Sequence, residues 1–83
     1  MKSDKIRELR GFCESAIILK VKPFEQINAA LGIYEPARCE AIKNYIAACR
    51  NEYLRCKALI LAATSNEMAD SVQFIAPHAP ENL

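Results

Sequence analysis

Between Glu35 and Thr64 the apolar residues obey a spacing that leaves the backbone little choice. Cys39, Ile42, Ile46, Cys49, Tyr53, Cys56, Ile60 and Ala63 follow one another at alternating steps of three and four, a heptad rhythm held for about four repeats. A helix collects residues so spaced onto one side, whereas a strand scatters them over both. Pro36 opens the segment, where its missing N–H is no loss. At about 1.5 Å per residue, a helix of about 28 residues is roughly 42 Å long. A compact chain of 83 residues is only about 30 Å across by the usual size scaling. The helix must therefore protrude, bend or lie against a partner.

The rest of the chain supplies cover for this seam. Ser3 and Asp4 suit a helix start, and Ile6, Leu9, Phe12, Cys13, Ala16, Ile17 and Leu19 give the following helix a broad apolar face. Lys22 precedes Pro23, which steers it out of helical angles and ends that helix near Lys20 or Val21. Pro23 then begins a short second helix ending at Gly32, with Phe24, Ile27 and Leu31 expected inward. Thr64 and Glu67 form the T-x-x-E pattern of a capping box, so a fourth helical piece with Met68, Val72 and Ile75 on one face either restarts there or continues the long helix. Residues 76–83 contain two prolines and no apolar pattern, and read as a flexible tail. The expected fold is all-α. It has three to four helices in a helical hairpin organised around one long helix at about 36–63, with residues 1–75 as a single domain.

The heptad letters bear on pairing. With Cys39, Ile46, Tyr53 and Ile60 at a, the e row is Lys43, Arg50 and Lys57. Two copies joined antiparallel through this seam would bring those cations together, so the seam is expected to be used first within the chain. A second apolar row, Ala47, Leu54, Ala58 and Leu61, lies about 130° around the helix from the seam at about 100° per residue. With Leu59, Ile60, Ala62 and Ala63 added, the end of the helix is apolar nearly all round, and such a helix calls for burial on every side. Either a fourth helix and the tail fold back over the second row, or another polypeptide covers it.

Chemistry leaves few marks. The chain carries 11 Lys and Arg against 10 Asp and Glu, so no overall field attracts nucleic acid or anionic membrane. No apolar run approaches the roughly 18 residues of a membrane span, and the Ala16 to Leu19 run is too short for a signal-peptide core. The expected location is the cytoplasm. Cys49 and Cys56 are separated by about 10 Å along the helix axis, beyond the roughly 7 Å Cα separation a disulfide tolerates. Only Cys13 is free to bridge to the long helix. The cysteines are therefore read as reduced packing residues. Cys39 and Cys49 match the CX9C spacing of oxidised helical hairpins, but the second pair of that pattern is missing. With no CxxC pair, one histidine (His78) in the tail and no Gly-rich phosphate loop, neither a metal site, a cofactor nor an enzyme is expected. Cys39, near a helix start, is the one thiol whose reactivity merits a test.

Two functional readings follow. The first is a small non-enzymatic protein-binding module, an adaptor, chaperone or inhibitor of a larger protein, acting as a homodimer or in a hetero-complex. Its candidate surface is Ala47, Leu54, Ala58 and Leu61, flanked by Tyr45 and Arg50, residue types favoured at interface hot spots. The second is a helix-turn-helix DNA-binding regulator. Residues 24–45 resemble that motif in having Gly32 at the turn, Ile27 and Leu31 before it and Ile33 after it. Arg38, Lys43 and Arg50 would then contact phosphates. The likeness falters where Arg38 occupies a position that the motif gives to a buried aliphatic residue. Asn28 likewise stands where the motif packs a small one.

Overall fold

A computed structural model describes every residue from Met1 to Leu83. It contains four helices and no strand: α1 (Lys2–Lys20), α2 (Pro23–Ala30), α3 (Pro36–Ala62) and α4 (Asn66–Asp70). α1 and α3 pack as an antiparallel hairpin. Lys2 Nζ donates to Leu61 O at 3.1 Å at one end, and Tyr45 Oη donates to Ala16 O at 3.4 Å towards the other. The molecule is a rod of 47 × 18 × 16 Å with a radius of gyration of 14.7 Å. The long helix neither protrudes nor bends sharply into a globule, because its neighbours are laid out along its length.

The seam of α3 lies where its spacing puts it. Cys39, Ile42, Cys49, Cys56, Ile60 and Ala63 are buried, with Ile46 and Tyr53 packed beside them. α1 answers with Leu9, Cys13 and Ile17, one residue per turn of the same face. The core comprises 13 buried residues, nine of them on α1 and α3 and the others, Val21, Ala29, Ala63 and Ala69, on α2, α4 and the connections. All four cysteines are reduced and buried in it.

Local chemistry sets the boundaries. Val21 adopts an extended conformation just before Lys22-Pro23 and ends α1. Gly32 has φ +73, the left-handed conformation that turns the chain between α2 and α3. Ala63 leaves the helical region with ψ 139 and ends α3, so α4 is a separate piece. Its cap is Ser65, whose hydroxyl accepts the Met68 N–H at 3.1 Å, one residue after the threonine expected from the sequence. Thr64 instead turns its hydroxyl to the Met68 sulfur.

α1 starts at Lys2 after Met1 and not at Ser3, and α4 ends at Asp70, short of Val72 and Ile75, with Met68 exposed. Two larger placements also differ from expectation. α2 meets α3 through Ala29, while Phe24, Ile27 and Leu31 face solvent. Polar contacts accompany this orientation: Glu25 accepts the Lys22 N–H at 3.0 Å and pairs with Arg38 at 2.8 Å, and Gln26 donates to Val21 O at 3.0 Å. The first of these caps the helix; the bonds to Arg38 and Val21 O leave it and match the orientation in which the small Ala29 faces α3. The second difference is the C-terminal segment, expected to be a free tail. It runs back along α3 in extended form, with Phe74, Ala79 and Leu83 packed on the core and Asn82 donating to Ala37 O at 3.4 Å.

The packing predicts unequal costs along one helix. Ile42→Ala should lower the unfolding free energy by about 2–5 kcal/mol, and Leu61→Ala should change it by no more than about 0.5 kcal/mol. Urea unfolding followed by circular dichroism measures both. Equal losses would mean that the outer row of α3 is covered after all.

Candidate protein-binding face

α3 has neighbours on three sides. α1 covers the seam, α2 covers the flank at Ile42 and Ile46, and the C-terminal segment covers the flank at Tyr45 and Glu52. The fourth side is open. Leu54 is 55% and Leu61 57% exposed, and Ala47 and Ala58 between and before them are exposed too. The chain does fold back, as one reading of the sequence allowed, but onto the opposite flank.

The open row runs into concave ground. A groove of about 550 Å³ between α2 and α3 has Ile42, Ile46 and Ala47 as its floor and Gln26, Ala29 and Ala30 as one wall. A second hollow of about 330 Å³ lies between α1 and α3, lined by Arg10, Cys13, Glu14, Ile17 and Tyr53. Both include Arg50 and Leu54. Leu54 therefore stands on the saddle between two apolar depressions.

Charge along this face is mostly of one sign. Lys43 and Arg50 border the groove, Lys57 continues their row, and Arg10 stands across from them on α1; Glu14 is the one carboxylate among the lining residues. The ion pairs of the protein are Lys5 with Glu8, Arg38 with Glu25 and Arg55 with Glu52. None of the four cations on this face belongs to a pair. Arg10 is held by Tyr53, whose hydroxyl accepts from it at 3.4 Å and whose ring lies 5.9 Å from the guanidinium carbon, and that contact raises its pKa.

The residues singled out from sequence divide between this face and the interior. Ala47, Arg50, Leu54, Ala58 and Leu61 share the open side. Tyr45 does not: it is buried against α1 with its ring in the core, and burial, then its contact with Cys49, pushes its hydroxyl up to about 12. Its side of α3 is covered, by α1 at Ala16 and by the C-terminal segment near His78 and Pro80. Arg38 is turned inward as well, 3.8 Å over the Tyr34 ring and bonded to Glu25. Lys43 and Arg50 remain free at the surface.

The thiols are donors and packing groups. Cys13 reaches Cys49 O, Cys39 reaches Tyr34 O and Cys56 reaches Gln73 O, each at 3.4 Å. Desolvation raises the pKa of Cys13, Cys49 and Cys56, which keeps them protonated and unreactive at neutral pH. No group of three or more His, Cys, Asp or Glu side chains is arranged to hold a metal ion, and no helix is long and apolar enough to cross a membrane.

One cluster was not anticipated. Glu52 accepts two hydrogen bonds from Arg55, at 2.6 and 2.7 Å, and a third from the Ile75 N–H at 2.8 Å. Arg55 also donates to Gln73 O at 3.2 Å. This clasp ties the returning C-terminal segment to α3. The three-residue spacing of Glu52 and Arg55 was readable as a helix pair, but the backbone it grips lies more than 17 residues away in sequence. Comparison with family models, with characterised proteins and with solved structures finds no match. The geometry of this chain therefore carries the functional argument by itself.

The clasp has a defined pH dependence. The Arg55 guanidinium holds the Glu52 carboxyl down to about 2, helped by the Ile75 N–H and opposed by partial burial. A carboxylate depressed in the folded state adds stability above its unfolded value of about 4.5, and that contribution disappears as pH falls towards about 2. Wild-type urea midpoints should fall more steeply than those of Glu52→Gln between those two pH values. Parallel pH profiles would show that the clasp adds nothing.

Proposed function

We propose that the protein is a small non-enzymatic binding module whose open α3 face receives an amphipathic helix of another protein. The observation that carries this reading is the uncovered row of Ala47, Leu54, Ala58 and Leu61 at the saddle of two apolar depressions. A helix laid in such a groove presents side chains at steps of three, four and seven. The partner is acidic along one flank, because Lys43, Arg50 and Lys57 line the side of the row that faces α1, where Arg10 also stands, and none of the four is in an ion pair. Leu54, with Arg50 beside it, is the expected centre of the binding energy.

A second copy fits this face less well, since cations of one sign line it and would meet one another. DNA fits it less well too: the strip between Lys43, Arg50 and Lys57 is apolar, whereas groove recognition needs side chains that hydrogen-bond to base edges. Arg38, one of the phosphate contacts expected under that reading, is engaged with Glu25 and Tyr34. Adaptor, chaperone and inhibitor remain roles that such a module can fill, and the partner decides among them.

The test uses a photo-crosslinking side chain at position 58, with Leu54→Glu and Arg50→Glu as controls. Wild-type protein should capture a segment with a heptad-spaced apolar face and one acidic flank. Both substitutions should abolish capture, by at least tenfold in yield, while far-ultraviolet circular dichroism stays unchanged. Capture that survives both substitutions, or a captured segment that is basic or extended, would contradict the proposal.

A further inference from the structure

The outer face of α2 is a separate feature of the surface. Phe24, Ile27 and Leu31 occupy steps of three and four on one side of this short helix, directly opposite the buried Ala29 at about 100° per residue. They are 58%, 60% and 70% exposed, and Ile33 just beyond the Gly32 turn is 63% exposed. The orientation is locked. Rotating the stripe inward would break the Glu25 bond to Arg38, the Gln26 bond to Val21 O and the Asn28 bond to the Tyr34 hydroxyl. Asn82 and Leu83 are engaged on the far side, at Ala37 and against the core, and leave the stripe exposed.

We propose that this stripe is a two-fold interface with a second copy of the chain, the two α2 helices lying antiparallel with Ile27 near the axis. Three properties of the stripe point to its own copy. It carries no charge of its own, so it meets itself without repulsion. It is symmetric about its middle, since antiparallel pairing sets Phe24 against Leu31 of the other copy and the reverse, the reciprocity that a two-fold interface requires. Its ends bear opposite charges: Lys20 and Lys22 precede α2, Glu35 follows it, and none of the three has an ion-pair partner within the chain. Antiparallel pairing brings the basic end of each copy to the acidic end of the other, twice. The α3 face, whose cations share one sign, lacks this property.

The area is of a suitable size. Taking about 200 Å² for a large apolar side chain fully exposed, the four fractions leave roughly 500 Å² uncovered on each copy. A standard stable interface buries about 800 Å² per partner, with an apolar centre and a polar rim. The stripe supplies the centre and the Lys22 and Glu35 ends supply the rim, so the expected dimer is reversible.

Sedimentation equilibrium of the full chain from about 1 to 500 µM tests this, a range that covers reversible association. The expected result is a shift from the 9.3 kDa monomer to a species of twice that mass. Ile27→Glu, which sets two carboxylates at the axis, should remain monomeric throughout with unchanged helical content. Lys22→Glu and Glu35→Lys should each weaken dimerisation roughly 3- to 10-fold, and the double exchange should restore it. A chain that is monomeric at every concentration would overturn the proposal. So would a dimer that withstands Ile27→Glu or is dissolved by Leu54→Glu, the latter placing the second copy on the α3 face.

Discussion

The fold rests on the contact between α1 and the seam of α3. A single layer of side chains fills it, and many of those side chains are small. Cys13 lies against the Cys49 carbonyl, and Cys49, Cys56, Ala63 and Ala69 contribute to the buried set beside Leu9, Ile17, Ile42 and Ile60. Small residues let two helices approach and leave little volume to be filled from a second layer. The same economy explains the rod shape. A core one layer deep grows by length, so α1 and the returning C-terminal segment lie along α3 instead of folding over it.

The arrangement also explains what stays outside. α3 is apolar over much of its circumference, but the chain has cover for three of its sides. The clasp of Glu52, Arg55 and the Ile75 N–H commits the C-terminal segment to the flank opposite Leu54. The bonds of Glu25 to Arg38, Gln26 to Val21 O and Asn28 to the Tyr34 hydroxyl likewise accompany an α2 that presents its apolar stripe outward. Two apolar surfaces result, each with polar contacts on its far side. They differ in charge. One is rimmed by cations and suited to an acidic partner; the other has opposite charges at its ends and suits a second copy.

Much of the helical plan was legible in the residues, because steps of three and four are a strong signal over 27 residues. The long helix and its hairpin follow from it; the helix starts and the turn at Gly32 were marked by Pro23, Pro36 and the glycine itself, and the Leu54 row was visible without its cover being decided. α2 was misread for a physical reason. Periodicity identifies an apolar stripe and not the direction in which it points, and in this helix of eight residues the side facing α3 is the one that carries the small Ala29 and the residues bonded to Val21 O, Tyr34 and Arg38. Tyr45 was assigned to the candidate face by its residue type, which is favoured at hot spots but does not say which side of α3 it occupies. The C-terminal segment, whose own residues carry no period, covers that position. Its path is set by Phe74, Ala79 and Leu83 docking singly and by backbone groups that accept from or donate to α3 side chains. Such contacts leave no repeating mark in a sequence.

The chain commits its cover to the seam and leaves the Leu54 side of α3 bare. Hydroxyl-radical footprinting read by mass spectrometry, on the isolated protein at low concentration, tests this division side chain by side chain. Rapid oxidation is expected at Leu54 and Leu61, and strong protection at Leu9, Ile42 and Ile60, which are at most 1% exposed. Protection of Leu54 and Leu61 equal to that of Ile60 would contradict it.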